Sequence, residues 1–238
     1  MAQSSIEWTE MTWNPVTGCT KISSGCKYCY AEIMTRRLKG MGLEKYSNGF
    51  DLTLHEDALE IPYTWKKKKL VFVNSMSDLF HKDVPPPFVQ KVFSVMNENQ
   101  QHIFQILTKR PDVLLKYSDK LNWTANIWIG VTVENAEAMH RIELLKKTPA
   151  HLKFLSCEPL LGPLSDLNVH GIDWIIVGGE SGRTPRPMIE DWVVEIQEKC
   201  RKAEVPFFFK QWGGRNKKQA EAELRARMYK ETPMVRAA

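Results

Sequence analysis

Short, continuously apolar segments alternate with longer segments of helical periodicity along most of the chain. The apolar segments are rich in β-branched and aromatic residues, as buried strands are. We predict strands at residues 70–74, 102–108, 127–133, 151–156, 173–179 and 205–210. We predict helices between them at residues 88–99, 112–121, 134–147 and 189–203. Strands that are apolar on both faces and alternate with helices indicate an α/β fold with a parallel sheet.

The number of strand–helix units favours a full or partial (β/α) barrel over a small doubly wound sheet. The chain has 238 residues, which suits one domain with a substantial core. We therefore expect a single barrel-like domain over residues 1–214. Residues 215–238 hold seven Lys or Arg and three Glu, so they carry +4 of the net charge of +5. We expect this tail to be a solvated helix with alternating charges, and the barrel to be almost neutral.

Polar residues follow five of the predicted strands directly. In a (β/α) barrel, the carboxyl ends of the strands lie on one rim, where active sites are built. The alternative is that these side chains cap the following helices. The first group consists of Asn74, Ser75, Ser77 and Asp78, and the others include Lys109, Glu134, Cys157, Glu158, Gly178 and Gly179.

The composition is that of a soluble globular protein, with 43% hydrophobic and 26% charged residues. We expect no membrane span, because no apolar run approaches the ~20 residues that a span needs. The N-terminus lacks the pattern of a secretory signal, so we expect a cytoplasmic protein with reduced cysteines.

Three of the five cysteines, Cys19, Cys26 and Cys29, lie in one short segment. In a reducing compartment, such clustering points to metal or redox chemistry rather than disulfides. Three thiolates leave one coordination position open, which suits an iron–sulfur cluster that binds a ligand through its fourth iron. A structural zinc site needs four ligands, and no histidine lies close by. Structural zinc and unligated thiols stay open as alternatives. Gly18 and Gly25 let the backbone bend around a cluster.

The spacing Cys-x6-Cys-x2-Cys, with an aromatic residue before the last cysteine, resembles a variant of the radical S-adenosylmethionine (SAM) signature, which usually has three residues in the first gap. A wider resemblance covers almost the whole chain. Its segments are similar to those of the phage-associated Gp37/Gp68 family, which is related to radical SAM enzymes and more distantly to spore photoproduct lyase. The segments are NPVTGC…SGCKYCYA, VFVNSMSDLFH, LTKRP, WIGVTVEN, FLSCEPLLGP, DWIIVGGESG and FFFKQWGG.

The resemblance implies a TIM-type partial barrel with a [4Fe–4S] cluster on Cys19, Cys26 and Cys29. The cluster would reduce SAM and so produce methionine and a 5′-deoxyadenosyl radical. A reductant such as flavodoxin or ferredoxin is implied as the electron source. The substrate stays open, with nucleic-acid modification or repair as the natural candidate for a phage-related protein.

Location and chemistry suggest the remaining roles. Tyr28 is expected beside the adenine or the cluster, and Lys109 at the SAM carboxylate. Gly178 and Gly179 would let the backbone approach the ligand. Cys157 is a candidate hydrogen-atom donor to a substrate radical. We assign Asn74, Ser75, Ser77 and Asp78 to the SAM amino group or ribose, and Glu134 and Glu158 to ribose hydroxyls or substrate.

The alternative function is a non-catalytic iron–sulfur or zinc protein that binds nucleic acid. It depends on the basic tail, on the run Lys66 to Lys69 and on eight tryptophans that could stack on bases. Core packing is a simpler explanation for most of these tryptophans.

Overall fold

The computed structural model describes residues 6–182, 184–214 and 223–233. In these residues, strands and α-helices alternate along the chain. The strands are β1 (Met11–Trp13), β2 (Val16–Thr17), β3 (Thr53–Leu54), β4 (Leu70–Val73), β5 (Ile103–Thr108), β6 (Ile127–Thr132), β7 (Leu152–Cys157), β8 (Trp174–Gly178), β9 (Phe207–Gln211), β10 (Glu223–Leu224) and β11 (Arg227–Met228). The helices are α1 (Tyr30–Gly40), α2 (Pro86–Glu98), α3 (Pro111–Leu115), α4 (His140–Lys146) and α5 (Glu190–Lys202).

Seven of the strands form a sheet in the order β1-β4-β5-β6-β7-β8-β9. The pairs β1/β4, β4/β5, β7/β8 and β8/β9 are parallel. The chain packs as two compact units. Unit 1 is Met1–Ile129 with Lys147–His151, and unit 2 is Gly130–Lys146 with Leu152–Ala238.

Unit 1 is built on β1, β4 and β5, and its core combines apolar side chains with buried polar ones such as Asp78, His102 and Arg110. α2 begins where Pro85 and Pro86 occupy the N-cap and first helical positions, at which a missing N–H is harmless. The helix buries Phe88, Val92 and four other apolar side chains. At ~25 cal/mol per Å² of apolar surface, such burial is the main stabilising contribution.

Unit 2 is built on β7, β8 and β9, of which β8 and β9 are buried along their whole length. α5 buries Val193, Ile196 and Cys200 at helical spacing, and it carries Glu190 and Asp191 in its first turn. Those carboxylates complement the positive end of the helix dipole.

The α/β class and six predicted strands are confirmed, with strand ends that differ by one or two residues. β1 was not predicted. Residues 134–147 are less helical than expected, because a 3₁₀ turn at Ala136–Ala138 precedes the short α4. None of the described helices has the length and apolar character that crossing a membrane requires.

The expectation of a helical tail is wrong for its described part. β10 and β11 form an antiparallel hairpin whose turn places Arg225 and Ala226 at φ 50° and 59°. The next residues pair with β9, and the Phe209 N–H donates to the Tyr229 carbonyl at 2.8 Å. β9 is the last strand of the sheet, so its outer edge offers backbone groups that a strand satisfies and a helix does not. Residues 215–222 and 234–238 lie outside the described residues.

Candidate functional site

The carboxyl ends of β1, β4 and β5 meet at one edge of unit 1. The register pairs Trp13 with Val73 and Val73 with Ile106, so the three strands end side by side. The segments that follow them are residues 14–29, 74–78 and 109–110. We call residues 19–29 the cysteine loop. Functional side chains gather at such carboxyl edges in α/β proteins.

The cysteine loop begins at a fixed backbone position. Gly18 has φ 81°, and a Cβ atom at this residue would lie 2.2 Å from the Asp51 carbonyl oxygen. Glycine is therefore required here by its positive φ and by the close backbone of Asp51, and the predicted bend around a cluster stays a prediction. The Gly18 N–H donates to the Met76 carbonyl at 3.0 Å, and the Ser77 hydroxyl donates to the Gly18 carbonyl at 2.5 Å. The segment after β4 thus holds the residue that precedes Cys19.

All three cysteines of the loop are thiols that are only partly buried. In the described chain, Cys19, Cys26 and Cys29 are free and of intermediate exposure, whereas Cys157 and Cys200 are buried. Cys26 closes a 3₁₀ turn and Cys29 is the N-cap residue of α1. The three cysteines of the loop are therefore less buried than the two cysteines outside it.

Arg110 fixes the loop from the end of β5. Its Nη2 donates to the Thr20 carbonyl at 3.0 Å and to the Thr20 hydroxyl at 2.9 Å. The same hydroxyl lies 2.8 Å from His81 Nε2, and His81 Nδ1 accepts from the Asp83 N–H at 3.2 Å. A neutral His81 ring therefore carries its proton on Nε2 and donates it to Thr20.

Asp78 is the acceptor that organises the ends of β4 and β5. Its Oδ1 accepts from the Thr108 hydroxyl at 2.7 Å and from the Phe80 N–H at 3.1 Å. Its Oδ2 accepts from the Lys109 N–H at 3.0 Å and lies 3.9 Å from Arg110 Nε. The carboxylate is thus saturated by groups of the protein itself.

The charges at this edge act differently on two of the thiols. Burial raises the pKa of Cys19 to about 11, and the Asp78 carboxylate acts in the same direction. At Cys26, burial also acts to raise the pKa, but the positive charge of Lys109 and a backbone hydrogen bond at Ile22 outweigh it. The pKa of Cys26 therefore lies below its ordinary value.

The chemistry of this donor set fits an iron–sulfur cluster. Three reduced thiols occupy one loop, and the positive charge of Lys109 favours the thiolate of Cys26, whereas at Cys19 burial and Asp78 outweigh the opposite effect of Arg110. Cations beside thiolates favour the deprotonated sulfur that binds metal. The described residues contain no group of three or more His, Cys, Asp or Glu side chains already arranged around a metal position. Ligation by the three cysteines stays a prediction.

The other predicted residues of unit 1 lie in the cysteine loop or in the segment after β4. The Ser75 hydroxyl donates to Asn14 Oδ1 at 3.2 Å. Asn74 is 2% exposed with φ 64°, and its Nδ2 has no hydrogen-bond partner among the described residues. Tyr28 is 37% exposed, with the Lys27 ammonium 5.4 Å from its ring centre. The roles of these residues toward SAM stay predictions.

The predicted residues of unit 2 also have partners within the protein. Glu134 is fully buried and paired with Arg141 Nη1 at 2.8 Å, and Glu158 accepts from Lys210 Nζ at 2.6 Å. A Cβ atom on Gly178 would lie 3.2 Å from the Glu158 side chain, and one on Gly179 would lie 1.9 Å from the Trp212 carbonyl oxygen. Gly179 thus permits a close approach of protein backbone, where the sequence analysis expected a ligand.

Cys157 occupies the end of β7 and is fully buried. Burial raises the pKa of its thiol, and neighbouring Cys200 and Glu134 act in the same direction. This environment is that of a structural cysteine, and no described feature gives a substrate access to its sulfur.

Sequence reasoning assigned no role to three residues of the site, Thr20, His81 and Arg110. The sequence points to these residues only by their positions, because Thr20 follows the first cysteine and Arg110 follows a predicted strand. The hydrogen bonds between Arg110 and Thr20 join residues that are 90 positions apart in the sequence. Patterns within a short segment therefore cannot predict these bonds.

The features behind the nucleic-acid alternative lie mostly away from this edge. Lys66 to Lys69 precede β4, at the amino end of the strand, and are mostly exposed. Arg186, a cation of the loop after β8, donates to the Glu180 carboxylate at 2.9 Å. Six of the eight tryptophans are buried and unable to stack on bases: Trp8, Trp13, Trp65, Trp123, Trp128 and Trp174.

Comparison with known proteins gives one match. Searches of curated proteins and of solved structures found no significant match to the chain. A family model described as "Protein of unknown function (DUF5131)" matches residues 3–233. Because this match covers nearly all of the sequence, the chain belongs to the DUF5131 family.

Proposed function

We propose that the protein is a radical SAM-type iron–sulfur enzyme whose strands form a partial (β/α) barrel. The observation that supports the proposal most is the cysteine loop, which carries three free, partly buried thiols at the carboxyl edge of β1, β4 and β5. Cys19, Cys26 and Cys29 would hold a [4Fe–4S] cluster. When bound, the cluster would supply the electron that cleaves SAM into methionine and a 5′-deoxyadenosyl radical.

The residues around the loop have distinct tasks in this proposal. Arg110 and Ser77 hold the backbone on either side of Cys19 through hydrogen bonds to Thr20 and Gly18. Lys109 favours the thiolate of Cys26, and it would bind the SAM carboxylate at the same edge. Asp78 accepts hydrogen bonds from the Thr108 hydroxyl and the Lys109 N–H and so positions Lys109 and Arg110, and its contact with the SAM amino group or ribose stays a prediction.

The test is anaerobic reconstitution with iron and sulfide, followed by dithionite and SAM. We expect about four iron and four sulfide per chain, a SAM-dependent change in the EPR spectrum, and 5′-deoxyadenosine in the products. Replacing Cys19, Cys26 or Cys29 with Ser should abolish the intact cluster. Cys200→Ala is the matched control, because Cys200 is a buried thiol of α5 in unit 2. Zinc without iron in the anaerobic protein, or a cluster that survives all three substitutions, would contradict the proposal.

The substrate is left open by this function. Nucleic acid is the candidate class, and the burial of six tryptophans restricts base stacking to other side chains. Turnover of 5′-deoxyadenosine that rises when RNA or DNA is added would identify that class. Salt-dependent binding without SAM cleavage would favour the non-catalytic alternative.

A further inference from the structure

A second group of polar side chains lies at the carboxyl ends of β7, β8 and β9 in unit 2. Glu158 follows β7, whereas Lys210 and Gln211 lie in β9, on the other side of β8. The Glu158 carboxylate reaches Lys210 across the end of β8. Gly178 leaves room for this crossing, because a Cβ atom there would lie 3.2 Å from Glu158 Cδ. We call Glu158, Ser181, Lys210 and Gln211 the Glu158 cluster.

Hydrogen bonds join all four members of the Glu158 cluster. Lys210 Nζ donates to Glu158 Oε1 at 2.6 Å. Gln211 Nε2 donates to the Ser181 hydroxyl oxygen at 2.9 Å and to Glu158 Oε1 at 3.5 Å. Gln211 is 3% exposed, so its amide is a fixed part of the protein. β9 therefore positions both the Glu158 carboxylate and the Ser181 hydroxyl.

The Glu158 cluster has hydrogen-bonding capacity that the described residues leave unused. An ammonium group carries three N–H donors, yet Glu158 Oε1 is the single acceptor for Lys210 Nζ in the described chain, and Lys210 is only 8% exposed. Glu158 Oε2 has no hydrogen-bond partner among the described residues, and the Ser181 hydroxyl hydrogen has no acceptor there. Because buried polar groups normally find partners, these atoms indicate a ligand.

The charges of the Glu158 cluster restrict the class of ligand. Lys210 and Glu158 already neutralise each other, so a charged ligand would be repelled by one of the two. A neutral ligand with an acceptor beside donors satisfies both side chains at once.

Guanine carries this pattern on one edge, where O6 accepts and the adjoining N1–H and N2 amino group donate. The O6 atom is also a regular acceptor for lysine in nucleic-acid recognition. Adenine and cytosine have no ring N–H on the corresponding edge, and uracil has no amino group beside its ring N–H. The cluster therefore matches guanine better than it matches the other bases.

We propose that the Glu158 cluster binds a guanine base of the substrate. Lys210 Nζ and the Ser181 hydroxyl donate to O6, and the Glu158 carboxylate accepts from N1–H and the N2 amino group. Gln211 is a positioning residue that holds Ser181 and Glu158. An enzyme that acts on a base of a nucleic acid reads that base by its edge once it has left the stack. The inference rests on the proposed function only in making the base part of a substrate, because the binding itself requires neither an iron–sulfur cluster nor SAM.

Calorimetric titration with the nucleotides GMP, AMP, CMP and UMP tests the site. The four share ribose and phosphate, so differences between them report the base alone. The metal-free and the reconstituted protein are both titrated. We expect GMP to bind about tenfold more tightly than each of the others, since a matched pair of hydrogen bonds to a base discriminates by at least that factor.

Two substitutions in the Glu158 cluster and one outside it show where GMP binds. Glu158→Gln should weaken GMP binding by about tenfold, because an amide replaces the charged acceptor. Ser181→Ala leaves both charges in place and should weaken GMP binding by about threefold. Glu143→Gln is the matched control and should bind GMP as the wild type does, because Glu143 is an exposed carboxylate of α4 in unit 2. The urea midpoint of each variant shows whether it is folded.

A preference for GMP that the two cluster substitutions reduce and Glu143→Gln retains supports the inference. Binding of no nucleotide, equal binding of all four, a preference for another base, or equal loss in Glu143→Gln overturns it. If Glu158→Gln does not fold, the order of the four affinities and the Ser181→Ala variant still decide. Cleavage of SAM without a preference for GMP overturns the base site alone. A preference for GMP in a protein that forms no 5′-deoxyadenosine after reconstitution contradicts the proposed enzyme and leaves the base site standing.

Discussion

Arg110 joins parts of the cysteine region that lie far apart in sequence, and its guanidinium is 9% exposed. It faces the Asp78 carboxylate on one side and two oxygen atoms of Thr20 on the other. Removing the cation leaves Asp78 without its buried counter-charge and frees the loop next to Cys19. Buried charges that lose a partner are costly, because water cannot replace it.

We therefore expect Arg110→Gln to lower the free energy of unfolding by about 3 kcal/mol. Arg36→Gln removes a largely exposed cation and should change it by less than about 0.5 kcal/mol. Urea denaturation of the metal-free protein measures the free energy of unfolding of both variants. Equal stability of the two variants would show that Arg110 does not hold the loop.

At the scale of elements, two glycines illustrate opposite constraints. Gly179 follows β8 where the backbone of Trp212 leaves no room for a Cβ atom, whereas Gly40 ends α1 with no heavy atom within 4 Å of that position. We expect Gly179→Ala to destabilise unit 2 by about 2 kcal/mol or more through overpacking. Gly40→Ala should stabilise α1 by about 0.5 kcal/mol through higher helix propensity. Thermal unfolding compares the two, and a stable Gly179→Ala variant would contradict the close approach.

The elements also show what sequence patterns reveal. Strands such as β5 and β8 were predictable because their apolar runs are continuous and buried on both faces. β1 was not, since it has three residues and only Trp13 is buried. The hairpin of β10 and β11 contradicts the helical character of its sequence, because pairing with the edge of β9 overrides local propensity. The clustering of the cysteines was visible, whereas the hydrogen bonds of Thr20, His81 and Arg110 depend on folding.

At the scale of the whole molecule, two buried histidines and one partly buried histidine couple stability to pH. Burial lowers the pKa of His55, His81 and His102 below the ordinary value. A base with a lower pKa in the folded than in the unfolded state binds protons preferentially when unfolded. The contribution of such a histidine to stability is therefore fully present above the pKa that histidine has in the unfolded chain, about 6.5. This contribution is lost as the pH falls below that value.

We expect the urea midpoint to fall between pH 7.5 and pH 5.5, and to fall less in the variant His102→Phe. His102 is fully buried between Trp65 and Phe104, and its Nδ1 has no hydrogen-bond partner among the described residues. His151→Phe replaces an exposed histidine and should retain the wild-type difference between the two pH values. An unchanged pH dependence in His102→Phe would exclude this residue as a source.

The small buried face of α1 has a consequence for the metal-free protein. A helix of eleven residues that buries only Ala31 and Thr35 in the described structure has little to oppose local opening. Its amides should exchange with deuterium sooner than those of α2, and trypsin should cleave after Arg36 or Arg37 early in digestion. Because Cys29 caps this helix, bound iron would slow both processes. Exchange at α1 would then report cluster assembly without any enzymatic assay.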